Sequence, residues 1–210
     1  MASEKETTRR RSDGERTHAA ILETATQLAS VEGLEGLTIG RLAEELGISK
    51  SGVYAHFGSK QQLQLETIEA AHAVFSDEVM RPALEAVEGL GQLEALCDAY
   101  LSYIERLVFP GGCFFAALLA EMDARSGPIH EGLVAGERAF TDGLEEMVRA
   151  AQRRGEIADD AEPEQVAFEL QAAIELANYH FVLFRDRREL ERARKATHGM
   201  LERLRASAPA

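Results

Sequence analysis

The chain has 210 residues and a formal net charge of -13; 45% of its residues are hydrophobic and 28% are charged. This length fits one or two domains with a sizeable core. No apolar run approaches the roughly 18 residues of a membrane span, and the polar N-terminus lacks the apolar segment of a signal peptide. Cys97 and Cys113 lie in apolar surroundings, where we expect buried free thiols. We therefore predict a globular cytoplasmic protein with no membrane partner.

Negative charge is concentrated in the second part of the chain. Residues 1–60 carry 8 Lys/Arg and 9 Asp/Glu, whereas residues 61–210 carry 15 and 27. The segment Leu46–Leu65 contains no acid at all. A surface clear of carboxylates suits an anionic partner, so the overall charge does not exclude nucleic acid.

The first part of the chain predicts one long helix and two short ones. Apolar residues at helical spacing run through residues 15–33. The second helix has Thr38 at its N-cap and Gly47 at its C-terminus, and Ser49 caps the third. The three helices lie within about residues 15–60, which we treat as one domain.

A longer helix is predicted to follow from Ser59. Ser59 and Gln62 have the spacing of a capping box, in which each side chain bonds the other residue's backbone. The helix is expected to end near Met80, because Pro82 disrupts a helix interior.

The rest of the chain also has helical periodicity. An apolar stripe through residues 93–108 ends at a Pro-Gly-Gly sequence, and the segment 113–122 is apolar nearly all round. Three further helices are expected over residues 128–155, 163–184 and 186–205. No strand-like alternation stands out, so the sequence predicts an all-α fold of nine or ten helices.

The two short helices have the arrangement of a helix-turn-helix, in which the second helix enters the DNA major groove. This second helix carries no acid and has Lys50 in its first turn. Val53 and Phe57 are expected to face inward, while Tyr54 and His56 face outward.

The sequence Leu37–Leu63, LTIGRLAEELGISKSGVYAHFGSKQQL, resembles the DNA-binding signature of tetracycline-repressor-like (TetR) transcriptional regulators. One departure is Gly40, where many members have a longer polar residue. We assign residues 1–14 to a flexible basic arm. The resemblance implies a helix-turn-helix DNA-binding domain over residues 15–60 and a ligand-binding and dimerisation domain over residues 61–210. It also implies a homodimeric repressor that binds a double-stranded DNA operator and is released by a small-molecule effector.

The resemblance also implies DNA contacts for individual side chains. Tyr54 could instead be a half-buried packing residue, His56 could brace the turn before the fourth helix, and Thr38 is a helix cap in any case. An Arg run at 9–11 could trail on DNA or be an inert tail. The predicted DNA-binding residues are Thr38, Ser49, Lys50, Ser51, Gly52, Tyr54, His56 and Lys60.

The second domain is expected to hold the effector, which is predicted to be mostly apolar. Its aromatic residues gather on a few predicted helices, and an apolar cavity with a few polar groups is the usual form of a ligand site. The same residues could be ordinary core or dimer interface. The predicted ligand-binding residues are His72, Phe75, Tyr100, Tyr103, Phe109, Phe114, Phe115, Asp123, Glu175 and Asn178.

Dimerisation is predicted on the last two helices, which would form a four-helix bundle with a second copy. The alternative is that both apolar stripes pack only inside the subunit. The predicted interface residues are Val166, Leu170, Ala173, Ile174, Ala177, Phe181 and Phe184 on one helix and Leu190, Ala193, Thr197, Met200, Leu201 and Leu204 on the other.

The sequence contains no motif that points to catalysis, to a metal or to another cofactor. It has no phosphate-binding glycine loop, no nucleophile elbow and no pair of histidines at metal-ligand spacing. We therefore predict that the protein is not an enzyme. A helical adaptor that binds only protein is the alternative function, with a helical hydrolase the third.

Overall fold

A computed structural model of the chain describes residues 2–206, with side chains from residue 14 onward. Within that range it contains ten α-helices, one π-helical turn and one isolated bridge between Ile157 and Arg205. The predicted all-α fold is confirmed. The chain divides into two units, Met1–Ala73 and Val74–Ala210.

The first unit contains four helices. They are α1 (Ala2–Gly36), α2 (Ile39–Leu46), α3 (Lys50–Phe57) and α4 (Lys60–Phe75), whose last two residues belong to the second unit. Helix α1 is kinked at Gly33. It begins at Ala2, so it includes residues predicted to form a flexible arm; these are rich in Glu, Lys and Arg, which favour helix. Side-chain contacts of the Arg run at 9–11 lie outside the described residues.

The caps of α2 and α3 are those predicted. Thr38 Oγ1 accepts the Arg41 N–H at 3.1 Å, and Ser49 Oγ accepts the Gly52 N–H at 3.1 Å. Gly47 ends α2 with φ 65°, in the left-handed region that glycine adopts without a steric cost. These caps fix where the two short helices begin and end. Each side-chain cap accepts a backbone N–H that the helix itself leaves unpaired.

The start of α4 differs in one respect from the predicted capping box. Ser59 Oγ accepts the Gln62 N–H at 3.0 Å, as predicted. The Gln62 side chain does not return this bond; it donates to Glu66 Oε1 at 2.9 Å. The Ser59 N–H, which a capping box would direct to the Gln62 side chain, donates instead to the Phe57 carbonyl at 2.8 Å.

The predicted end of this helix near Met80 is wrong. After α4 the chain makes a π-helical turn, Ser76–Met80, and continues directly as α5 (Arg81–Glu85). In a continuous α-helix the Pro82 ring would clash with the carbonyl four residues earlier, at Glu78. The wider π turn precedes the proline, so the chain stays helical past it.

The second unit is built from the longer helices α6 (Leu90–Glu105), α7 (Phe114–Met122), α8 (Pro128–Arg153), α9 (Pro163–Phe184) and α10 (Arg188–Leu204). Helix α9 packs against α6, α8 and α10. The predicted starts at Pro128 and Pro163 are confirmed, as expected of proline in a first helical turn. Within the described part of the chain, none of the helices combines the length and apolar character needed to cross a membrane.

Candidate nucleic-acid interface and effector site

Helix α3 has one buried and one exposed face. Val53 and Phe57 are buried in the first unit. Lys50 and Ser51 are exposed, and Tyr54 is 56% exposed, which argues against a half-buried packing role for this tyrosine. The outward face therefore presents a cation, hydroxyl groups and an aromatic ring, with no carboxylate on the helix.

His56 is only partly exposed, because its ring lies in a stack. The His18 ring contacts those of both His56 and Phe57, at centroid distances of 5.7 Å and 4.7 Å. His18 Nε2 is 2.8 Å from Glu66 Oε2. This packing supports the bracing role for His56, and a DNA contact for it stays a prediction. His18 was not singled out in the sequence, although it stands one helical turn before the buried Ile21.

Lys60 has a partner inside the first unit. Its Nζ donates to the Glu35 carbonyl at 2.9 Å and to Glu35 Oε2 at 3.2 Å. The ammonium thus caps the C-terminal end of α1, where a cation is favourable. A DNA phosphate would share Lys60 with Glu35, so the predicted phosphate contact competes with a structural role.

The hydroxyl groups of the interface are already oriented by the caps. Thr38 and Ser49 each use the oxygen to accept a backbone N–H. The Thr38 hydroxyl proton remains available to donate to an anion, whereas the hydrogen bond between Ser49 and Ser51 leaves one proton of that pair available. Ser49 Oγ and Ser51 Oγ are 3.1 Å apart, which places two hydroxyl groups side by side at the start of α3.

The second unit brings the predicted aromatic residues together. Phe75 lies at the centre, with its ring edge-to-face against four others at centroid distances of 5.2 to 5.8 Å. The four partners of Phe75 are Tyr100, Tyr103, Phe115 and Phe140. Phe109 and Phe114 extend the network through further ring contacts. We call these seven residues the aromatic cluster.

Comparison with known proteins assigns both units. A family model described as "Bacterial regulatory proteins, tetR family" matches residues 21–67. A second, "Tetracyclin repressor-like, C-terminal domain", matches residues 89–197, which is more than half of the chain. The chain belongs to the TetR family. The resemblance read from the helix-turn-helix sequence is confirmed, and the matched family is one of regulatory proteins rather than enzymes.

This TetR-family chain aligns with only part of the length of the two relatives given first. It is 46% identical over 44 residues to tetracycline repressor protein class C from Escherichia coli, which is 21% of this chain and 20% of the relative. It is 22% identical over 146 residues to the HTH-type transcriptional regulator SrpR from Pseudomonas putida, covering 69% of this chain and 65% of that protein. A crystal structure of a TetR regulator from Chloroflexus aurantiacus superposes with a TM-score of 0.85 at 23% identity, covering 93% of this chain and 99% of that one.

Within this TetR-family chain, the stripes predicted for dimerisation are core. On α9, Val166, Leu170, Ile174, Ala177 and Phe181 are buried within the subunit. On α10, Leu190, Ala193, Thr197, Met200 and Leu201 are buried as well. Of the thirteen predicted residues, Ala173 and Leu204 are partly exposed and only Phe184 is exposed. A single chain already covers these stripes, so they do not offer a partner a free surface.

A different face of α9 is apolar and exposed. Its large residues are 45 to 73% exposed, and they follow one another at helical spacing along one side of the helix. They are Phe168, Leu176, Tyr179 and Leu183, and we call them the α9 stripe. The sequence could not separate this face from the buried one, because α9 is apolar around much of its circumference.

Three of the predicted polar ligands are either exposed or already hydrogen-bonded. Asn178 is buried, and its Oδ1 accepts the Cys113 N–H at 2.8 Å, so this amide holds the start of α7. Asp123 is exposed beyond the end of α7, and His72 is exposed in the first unit. The two residues were predicted as candidate polar groups of the site, but the sequence does not determine which way a helix face points.

Two half-buried carboxyl groups lie in the second unit. Burial raises the pKa of Glu175, with a further contribution from the Glu137 carboxylate, and burial also raises the pKa of Glu137. Glu175 in turn contributes to the raised pKa of Tyr100, for which burial is the larger cause. Glu175 thus lies close enough to the cluster to act on it electrostatically.

Both cysteines are buried free thiols, as predicted. Burial raises the pKa of Cys97 to about 12 and also raises that of Cys113. Cys113 Sγ lies 3.1 Å from Tyr100 Oη, at the edge of the aromatic cluster. Raised pKa values keep both sulfurs protonated at neutral pH, so they act as small core residues.

One open groove in the second unit was not predicted. It has a volume of about 510 Å³ and lies beside the π-helical turn and α6. Its two arginines are already paired: Arg81 Nε is 3.4 Å from Asp77 and Arg106 is hydrogen-bonded to Glu78. The groove is open to solvent and its charged groups are already paired, so the buried aromatic cluster is the better candidate site for a mostly apolar effector.

Proposed function

We propose that this chain is a dimeric repressor that binds a near-palindromic DNA duplex and releases it when a small, mostly apolar effector binds. The observation that carries the proposal is the outward face of α3, which is exposed, free of carboxylates and led by Lys50. A helix presented to DNA phosphates needs this distribution of charge. Such a repressor would act in the cytoplasm, beside the DNA.

DNA binding is tested by titrating duplexes that the protein itself selects from a random pool. Affinity is expected to fall steeply with salt, because phosphate contacts release counterions. Tyr54→Phe is expected to lower affinity by roughly 5-fold, the loss of a hydrogen bond worth about 1 kcal/mol.

The same variant controls for folding. Because the Tyr54 hydroxyl is exposed and has no partner of its own within the described residues, Tyr54→Phe should leave the melting temperature unchanged. Binding that is weak and flat between low and high salt would contradict the DNA proposal and favour the protein-binding adaptor.

A second copy of the chain is the proposed partner of the α9 stripe. The stripe runs along a helix of 22 residues, which spans roughly 33 Å. Contiguous exposed apolar surface of this kind marks an interaction site. A dimer also fits a palindromic duplex, since two recognition helices would then meet equivalent half-sites.

The aromatic cluster is the proposed effector site. Tyr103 is buried, and its Oη makes no hydrogen bond of good geometry within the described residues, although the Phe114 backbone and the Cys113 thiol lie close enough to influence its pKa. An unpaired buried hydroxyl costs about 1–3 kcal/mol, which an effector with one polar group would recover. The surrounding rings would bind the apolar remainder.

Helix α4 offers a route from effector to DNA. It begins with Lys60 and ends with Phe75, the central ring of the cluster. An effector that prefers a different position of Phe75 would thereby bias the helix that carries Lys60. Linkage then requires that DNA weaken effector binding by the same factor.

Release is tested by screening small apolar molecules for an increase in melting temperature and repeating the DNA titration with each compound that binds. Saturating effector is expected to lower operator affinity by roughly 5- to 150-fold, the usual range of coupling. Tyr103→Phe should weaken effector binding without lowering the melting temperature, since it removes an unpaired hydroxyl. A compound that saturates the cluster and leaves operator affinity unchanged would refute the coupling.

A further inference from the structure

Gly40 and Lys50 meet within the helix-turn-helix. Lys50 begins α3, yet its side chain reaches back over the first turn of α2. A Cβ on residue 40 would lie 3.3 Å from Lys50 Cε and 3.5 Å from Nζ. Thr38 Oγ1 is 3.9 Å from the same point. The lysine therefore occupies the space that a side chain at position 40 would fill, beside the hydroxyl that caps α2.

The ammonium in this position lacks a negative partner. Lys50 has no ion pair or hydrogen bond among the residues whose side chains the structure describes, and the first turn of α2 contains no acid. The nearby Arg41 is already paired with Glu32 and Glu45, at 3.0 Å and 2.7 Å. Lys50 is thus the cation of this surface that an incoming anion can bind without breaking an existing pair.

We propose that Gly40 is a positioning residue for DNA binding: its empty side-chain space lets Lys50 reach over α2 and bind one backbone phosphate together with the Thr38 hydroxyl. The inference rests on the proposed DNA-binding function. Thr38 can take part because its oxygen accepts the Arg41 N–H while its proton is left to donate. Lys50 is thereby assigned to the DNA backbone rather than to a base edge. Gly40 has no side chain with which α2 could contact the phosphate. Lys50 reaches over from α3 and supplies the cation there instead.

The first test separates phosphate binding from base recognition. Lys50→Ala is expected to weaken a selected operator and a scrambled duplex of the same composition by the same factor. That factor is roughly 8-fold at 0.1 M salt, because one lost phosphate contact reduces the salt slope by about 0.9. If Lys50 instead binds a base edge, Lys50→Ala would lower affinity for the operator and leave affinity for the scrambled duplex nearly unchanged. That outcome would overturn the inference.

The second test is a double-mutant cycle. Gly40→Leu, which fills the space with an apolar group, is expected to reproduce most of the Lys50→Ala loss, and to add nothing in the Lys50→Ala background. Gly40→Ala should cause a smaller loss of DNA affinity. It replaces Gly40→Leu in the cycle if the melting temperature shows that the leucine impairs folding. If Gly40 has only a structural role, Gly40→Leu would lower DNA affinity by the same factor with or without Lys50. Additive losses would therefore overturn the inference.

The two failures are distinguishable. Additive losses in a protein that still binds duplex DNA in a salt-dependent way reject only the role of Gly40. Absence of salt-dependent binding by the unmutated chain rejects the proposed function and, with it, the inference.

Discussion

Leu176→Glu combined with Leu183→Glu is expected to convert a dimer into monomers and to lower operator affinity by more than 100-fold. Both leucines lie on the α9 stripe, where they are 56% and 73% exposed in a single chain. Two carboxylates placed in an apolar interface would have to be desolvated without partners, which costs several kcal/mol. Because the side chains are exposed in the subunit, the fold itself should survive, as circular dichroism would show.

Light scattering of the unmutated and doubly substituted proteins measures this outcome. Leu84→Glu with Val87→Glu is the matched control, since these residues are 60% and 68% exposed elsewhere in the second unit. The control should remain a dimer and bind DNA normally. A double α9 variant that is still dimeric, or an unmutated chain that is monomeric, would contradict the proposed interface.

The residues predicted for dimerisation show where sequence reasoning reached its limit. The spacing of Leu170 and Ile174 correctly indicated an apolar face on α9, but these side chains are at most 1% exposed within one chain. Charged substitutions there would unfold the subunit rather than separate two subunits. Which arc of a broadly apolar helix faces inward depends on the neighbouring helices, and local periodicity contains no information about them.

Local signals were more reliable than long-range ones. The caps at Thr38 and Ser49 follow from the residue and its backbone neighbours a turn away, so the sequence predicts them directly. The partners of Lys60 and Asn178 are distant in sequence, at Glu35 and Cys113. Such pairs form only when the fold brings them together, and a single sequence does not identify them.

The sequence predicted the aromatic cluster only in part: it identified the rings but not their polar neighbours. Phe75, Tyr100 and Tyr103 were grouped because aromatic residues recur on a few predicted helices, and their rings do meet in the structure. Their polar companions were harder to predict, because a ligand role requires a group that is both near and unoccupied. Asn178 is near the start of α7, but its oxygen is already occupied by the Cys113 N–H.

Gly112→Ala is expected to destabilise the second unit by about 3–5 kcal/mol, the range of changes that combine backbone strain with a steric clash. Gly112 has φ 88°, which an alanine adopts only at a cost. Its new Cβ would collide with Asn178 Oδ1 and would lie 2.6 Å from Val182 Cγ2. Asn178 would have to move away from the Cys113 N–H, leaving a buried donor unpaired.

Urea unfolding measures the loss, and Gly155→Ala is the matched control. Gly155 has φ 68° in the same unit, but a Cβ there meets nothing within 4 Å. The control should therefore cost only the backbone strain, about 1–2 kcal/mol. The difference between the two variants isolates the clash with Asn178 and Val182. Equal losses would show that the close approach of this loop to α9 contributes nothing to stability, and that the Asn178–Cys113 bond does not hold α7 in place.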